Sequence, residues 1–123
     1  MKIVSTEKAP AAIGPYSQAI AYGNILFTSG QIPINPENGL VEAEGIAAQT
    51  EQVMKNLGAV LSAGGSSFEK TIKTTCFLAD IKDFTAFNEV YAKYFTGKPA
   101  RSCVAVKSLP KGVLVEVEAV AAI

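Results

Sequence analysis

The chain contains no histidine at all, and its only arginine is Arg101. The first absence removes Ser-His-Asp and Cys-His nucleophile systems, His-ligated metals and imidazole general bases together. Two cysteines, Cys76 and Cys103, are too few for a disulfide framework and are not spaced as C-x-x-C. With no histidine to complete a tetrahedral site, zinc is not expected and no metal ligands are assigned. There is no excess of either charge: 11 Lys+Arg balance 11 Asp+Glu. Scattered lysines leave no basic face for a phosphate backbone, so nucleic acid is not an expected partner. No apolar run approaches the ~18 residues of a membrane span. The opening MKIVSTEKAP lacks the apolar stretch of a signal peptide. A reducing cytoplasm is the expected location, with no membrane partner.

What is present suits a packed core. The 123 residues are 49% apolar, which excludes disorder and fits one domain spanning 1–123. Ser17 to Tyr22 and Ile25 to Ser29 are short apolar-rich runs around Gly23-Asn24, a hairpin signal. Pro33, Pro36 and Glu37-Asn38-Gly39 mark a loop. Ile46, Val53, Met54, Leu57, Val60 and Leu61 recur at helical spacing up to about Ala63, where Gly64-Gly65 stops the helix. Lys70 to Ala79 is β-branched and reads as a strand. Asp83 is a suitable N-cap for a second helix with Phe84, Phe87, Tyr91, Tyr94 and Phe95 on one stripe, ended by Gly97 and Pro99. Arg101 to Val106 and Val113 to Ala121 are strands joined across Leu109-Pro110-Lys111-Gly112.

That order predicts an α+β layer with two helices on one face of a mixed sheet. The last strand sets Val113, Val115, Val117, Ala119 and Ala121 on one face, and Leu114 and Val120 with two glutamates on the other. A half-exposed antiparallel strand normally alternates cleanly with polar residues. Apolar residues on both faces therefore predict a homo-oligomer that covers the second face.

Arg101 opens a strand, and Cys103 two residues on shares its face, as Glu116 shares its face with Glu118. If the last two strands pair through the Pro110 turn, an arginine and a carboxylate line one cleft. A planar guanidinium binds carboxylates bidentately, which lysine cannot imitate. The plainer alternative is a structural Arg101–Glu116 or Arg101–Glu118 ion pair. Glu116, between Val115 and Val117, can have a raised pKa and hold or activate a water; otherwise it is a solvated residue beside Glu118. No base is evident for Cys103, so packing is its simpler role, and Cys76 reads as core. Ser29 and Gly30 offer a hydroxyl and a close backbone approach, and Tyr16 an aromatic wall with a polar tip. Asn88 follows Phe87 on the second helix as a polar position.

Taken together, APAAIGPYSQA (9–19), FTSGQIP (27–33), PARSCVAV (99–106) and LPKGVLVEVEA (109–119) resemble the Rid family. These are the YjgF-like reactive-intermediate deaminases, and the motifs are close to the RidA type. The QTEQVMKNL helix and KTTCFLADI strand follow in the family's order. The resemblance implies a chorismate-mutase-like α+β fold, assembled as a homotrimer with a central sheet barrel and pockets at the subunit interfaces. It implies hydrolysis of 2-imino or 2-enamino acids, such as 2-iminobutanoate and 2-iminopropanoate, to 2-keto acids and ammonia. Such species are released by pyridoxal-phosphate-dependent dehydratases, and RidA-type members need no cofactor. By position, Arg101 would clamp the substrate carboxylate and Glu116 would orient the attacking water. Tyr16, Ser29, Gly30 and Cys103 would line the pocket, with Asn88 in support. The connection Thr96-Gly97-Lys98-Pro99-Ala100 is short, and the resemblance leads one to expect a longer loop in many relatives. The competing reading from another class is a ligand-binding regulatory or chaperone-like trimer with little turnover. RNA cleavage lacks both a histidine and a basic patch.

Overall fold

The structure, a computed structural model, describes residues 1–123. Six strands form one sheet in the order β1-β2-β3-β6-β4-β5. They are β1 (Lys2–Val4), β2 (Ala19–Tyr22), β3 (Ile25–Thr28), β4 (Thr71–Leu78), β5 (Ala100–Ala105) and β6 (Val115–Ala122). Two helices, α1 (Gly45–Ala63) and α2 (Phe84–Tyr94), cover one face, as the α+β reading expected. The Gly23-Asn24 hairpin is present, with Tyr22 opposite Ile25, and Gly23 supplies the positive φ such a turn requires. Helix α1 buries Val53, Met54, Leu57, Val60 and Leu61 against Leu26, Val117, Ala119 and Ala121 of the sheet. It ends where Gly65, at φ 82°, turns the chain so that the Ser66 amide reaches the Leu61 carbonyl at 2.8 Å.

Strand pairing departs from the sequence reading at one point that matters. β5 and β6 do not pair. β4 lies between them, parallel to β5 and antiparallel to β6. The reason is the helix between β4 and β5: a crossover carrying a helix returns the chain parallel to the strand it left. The Leu109–Gly112 turn is therefore not a hairpin. It belongs to an arch over the end of β4, tied by Val106 N to Leu78 O (2.9 Å) and Ala79 N to Leu114 O (3.0 Å). β5 is left on the sheet edge, consistent with its mostly exposed residues.

Two smaller differences concern the ends of the elements. Asp83 holds the N-cap position of α2 as expected, but its side chain makes no capping hydrogen bond: a short 3-10 turn over Ile81–Asp83 leads directly into the helix, and Asp80 caps that turn by accepting from the Lys82 amide. β1 was not anticipated. It is three residues long and gains its place by pairing with β2.

The sheet's second face is open and apolar, as the pattern of the last strand required. Ile3, Ile20, Phe27 and Val120 form one row across β1, β2, β3 and β6, and Tyr22 and Ile25 sit on the same face. Ile3 and Tyr22 are each 68% exposed and Phe27 46%. Side chains of this kind left in water mark a surface made to be covered.

Candidate active site

Glu116 stands near the start of β6 on the open face, while its neighbours Val115 and Val117 point into the core. Gln31 and Val117 exchange both backbone hydrogen bonds (2.8 and 3.1 Å), which lays the preceding Gly30 directly beside the Glu116 carboxylate. A Cβ on Gly30 would overlap a carboxylate oxygen and lie 2.8 Å from the carboxyl carbon. Glycine is needed here for space. Glu116, Gly30, Ser29, Tyr16 and Pro110 line a cavity of about 420 Å³. Burial raises the Glu116 pKa above the ordinary carboxylate value, and the neighbouring Glu118 adds to the shift. The Ser29 hydroxyl donates to the Ser17 carbonyl at 2.6 Å, so it serves the walls of the cavity.

Arg101 occupies the other face. Its register partner is Thr74, whose side chain is buried under the helices, whereas Glu116 pairs with Phe77 on the open side. Three residues along β4 also separate those two positions, or about 10 Å at ~3.3 Å per residue. Because β4 intervenes, Arg101 and Glu116 of one chain do not share a cleft, contrary to the expectation from a β5–β6 hairpin. Nor do they form the alternative ion pair: the chain's one ion pair joins Lys93 to Glu51. Arg101 Nη1 instead donates to Asn88 Oδ1 at 2.7 Å, which gives Asn88 its supporting place. Together with Tyr91, Phe95, Lys98 and Pro99 they line a second cavity of about 300 Å³.

Cys103 follows Arg101 on the same face of β5, half-buried against the core. Burial raises its thiol pKa despite the opposing pull of Arg101, which suits packing better than nucleophilic attack. Cys76 is wholly buried and its thiol is pushed up to about 12.

Sequence reasoning missed Gln18. This buried side chain donates to the carbonyls of Thr6 (3.0 Å), Ala9 (3.4 Å) and Pro10 (2.7 Å) and accepts from the Thr6 amide. It pins the irregular N-terminal segment beside the Glu116 cavity. A lone glutamine ahead of a strand carries no signal of that. Asn56 was missed as well; from α1 it donates to the Ile32 and Ile34 carbonyls (3.0 and 2.9 Å), fixing the chain beyond Gly30.

A family model described as Endoribonuclease L-PSP matches residues 6–123. The chain belongs to that family, the YjgF or Rid family that its motifs resemble. It is 48% identical over 121 residues to a rat protein named 2-iminobutanoate/2-iminopropanoate deaminase, covering 98% of this chain and 88% of the relative. It is 53% identical over 122 residues to AldR of Lactococcus lactis, described as a regulator, covering 98% and 97%. The solved structure of Escherichia coli TdcF with bound serine superposes with a TM-score of 0.94 at 42% identity, covering 100% of this chain and 99% of that one. The fold is therefore the chorismate-mutase-like arrangement of this family.

Proposed function

We propose that this Rid-family chain is a 2-imino acid deaminase that works as a homotrimer in the cytoplasm, with small 2-imino and 2-keto acids as its ligands. Its site forms where the Arg101 half of one copy meets the Glu116 half of the next. The observation that carries this reading is the division of the two groups. A guanidinium with no carboxylate partner sits on one face, and a half-buried carboxylate of raised pKa sits on the other. Neither half accounts for its own charge, and the apolar open face supplies a surface on which copies can meet.

An imine carbon is already electrophilic, so the protein's tasks are to hold the substrate and aim a water. Arg101 binds the substrate carboxylate through paired N–H donors. Glu116 accepts a proton from the water as its oxygen bonds to the imine carbon, and the proton passes to the substrate nitrogen. Glu116 then takes the remaining proton from the new hydroxyl group and returns it to the nitrogen as the carbon–nitrogen bond breaks, releasing ammonia and leaving a 2-keto acid. A raised pKa suits Glu116 to both accept and return that proton near neutrality. Tyr16, Ser29, Gly30 and Cys103 complete the walls and Asn88 steadies Arg101. The reading is supported by the name of the rat relative, and serine in TdcF carries the same kind of carboxylate.

The test generates 2-iminobutanoate in situ and follows 2-ketobutanoate release above the spontaneous rate. Arg101→Ala and Glu116→Gln should each be inactive alone. Refolded together in equal amounts, half the arginine halves and half the glutamate halves are intact, so about one quarter of wild-type activity should return. An active wild type whose mixture stays inactive overturns the shared site. A regulatory reading, favoured by the description of AldR, requires a wild type that binds 2-ketobutanoate and accelerates no imine.

A further inference from the structure

We propose that Tyr91 and Phe84 are positioning residues: they form an aromatic seat that keeps the Arg101 guanidinium aimed and un-neutralised for a ligand carboxylate. The seat deepens the deaminase reading and rests on it for the nature of the ligand.

Phe84, Asn88 and Tyr91 are spaced by four and three residues, so they make one stripe on α2. The Arg101 guanidinium carbon lies 4.8 Å from the centroid of the Tyr91 ring and 5.5 Å from that of Phe84. Both distances fall within the ~6 Å at which a ring face attracts a cation. Asn88 takes one guanidinium N–H from the same stripe. The Tyr91 hydroxyl lies 2.7 Å from the Thr74 hydroxyl, and both residues are buried. Thr74 is also the residue opposite Arg101 in the β4–β5 ladder. Ring and arginine are thus referenced to the same rung of the sheet. Burial raises the Tyr91 pKa, so the phenol stays neutral beside the cation.

The absence of an acidic partner gives the seat its point. A structural aspartate or glutamate would hold Arg101 equally still, but it would occupy the paired N–H edge and cancel the charge. Ring faces attract the cation without consuming N–H groups. The guanidinium is fixed in place, and its remaining donors and its full charge stay available to an incoming carboxylate.

With a single arginine in the chain, its Nε–Hε resonance is the only one of its kind in an NMR spectrum. In the wild type this proton should be displaced upfield by the rings. Tyr91→Leu should bring it back toward free arginine, weaken 2-ketobutanoate binding about tenfold by calorimetry and raise KM similarly, with kcat within about threefold. Tyr91→Phe keeps the ring and should retain both the shift and most of the affinity. Phe84→Leu, at a half-buried position, provides the same test if Tyr91→Leu does not fold. The proposal is overturned if these folded variants bind 2-ketobutanoate as wild type does while Arg101→Ala does not, or if the wild-type signal shows no displacement. A wild type that binds 2-ketobutanoate through Arg101 and hydrolyses no imine sinks the deaminase reading alone; the arginine signal and the affinities then still decide the seat. No carboxylate binding by wild type defeats both.

Discussion

Gly30→Ala adds one methyl group at the point where the backbone touches Glu116. The new carbon would lie 2.8 Å from the carboxyl carbon and 3.0 Å from Cγ, besides overlapping an oxygen. Non-bonded carbons rest at about 3.5–4.0 Å, so one of the two groups must retreat by about 1 Å. The backbone cannot easily be the one that moves. Ser29 N is bonded to the Gln18 carbonyl on one side (2.9 Å), and Gln31 is bonded both ways to Val117 on the other. Gly30 is not among the residues with positive φ, so alanine meets no conformational strain there. The substitution therefore displaces the carboxylate and little else. A displacement of about 1 Å of a group that aims a water costs on the order of 100-fold in rate, or about 2.7 kcal/mol of barrier. In the 2-iminobutanoate assay, kcat should fall by about that factor. Native mass should be unchanged, and the affinity for 2-ketobutanoate, governed by Arg101, should stay within about threefold. A Gly30→Ala protein of native mass that keeps rates within about threefold of wild type would refute the placement of the reacting water at Glu116.

Four other outcomes are expected. Glu116 has a folded pKa above its unfolded one, so between the two values the folded state binds more protons and stability falls as pH rises. Glu116→Gln should accordingly raise Tm at pH 7 but not at pH 4 while abolishing activity; an unchanged Tm difference across that range refutes the linkage. The acid limb of the wild-type pH–rate profile should also lie above the ordinary carboxylate range. Phe27→Asp places a charge on the open face, away from both cavities, and should convert a species of three times 12.9 kDa into one of 12.9 kDa with activity lost; wild type already running at the single-chain mass in native solution would contradict the trimer. Gln18→Ala strands three carbonyls and an amide, so it should cost about 2–3 kcal/mol in denaturant unfolding; a loss below about 0.5 kcal/mol would show that water replaces those bonds.

Local pattern was enough for most of the elements. The period of Val53, Met54, Leu57, Val60 and Leu61 identifies α1, and Gly23-Asn24 identifies the hairpin, because both are decided by neighbours within a few residues. The double-sided apolar character of β6 announced the open face for the same reason. Pairing is different in kind. Whether β6 lies against β5 or β4 depends on the crossover through α2 and on contacts between distant residues, which no short window contains. Asp83 marks the start of α2 as its type suggests, but the capping hydrogen bond falls to Asp80, because a 3-10 turn of ordinary composition precedes the helix.

For the candidate site, the sequence by itself determined the chemical inventory: one arginine, an apolar-flanked glutamate, no histidine, and motifs shared with one family. Those are properties of residue type and order, and folding cannot change them. Tertiary structure alone decided how the inventory is divided. β4 separates Arg101 from Glu116, Gly30 is pressed against the carboxylate by the Gln31–Val117 bridge, and Tyr91 meets Arg101 because Thr74 holds both at one rung. Each rests on pairings between residues 17 or more apart in the chain, set by packing geometry.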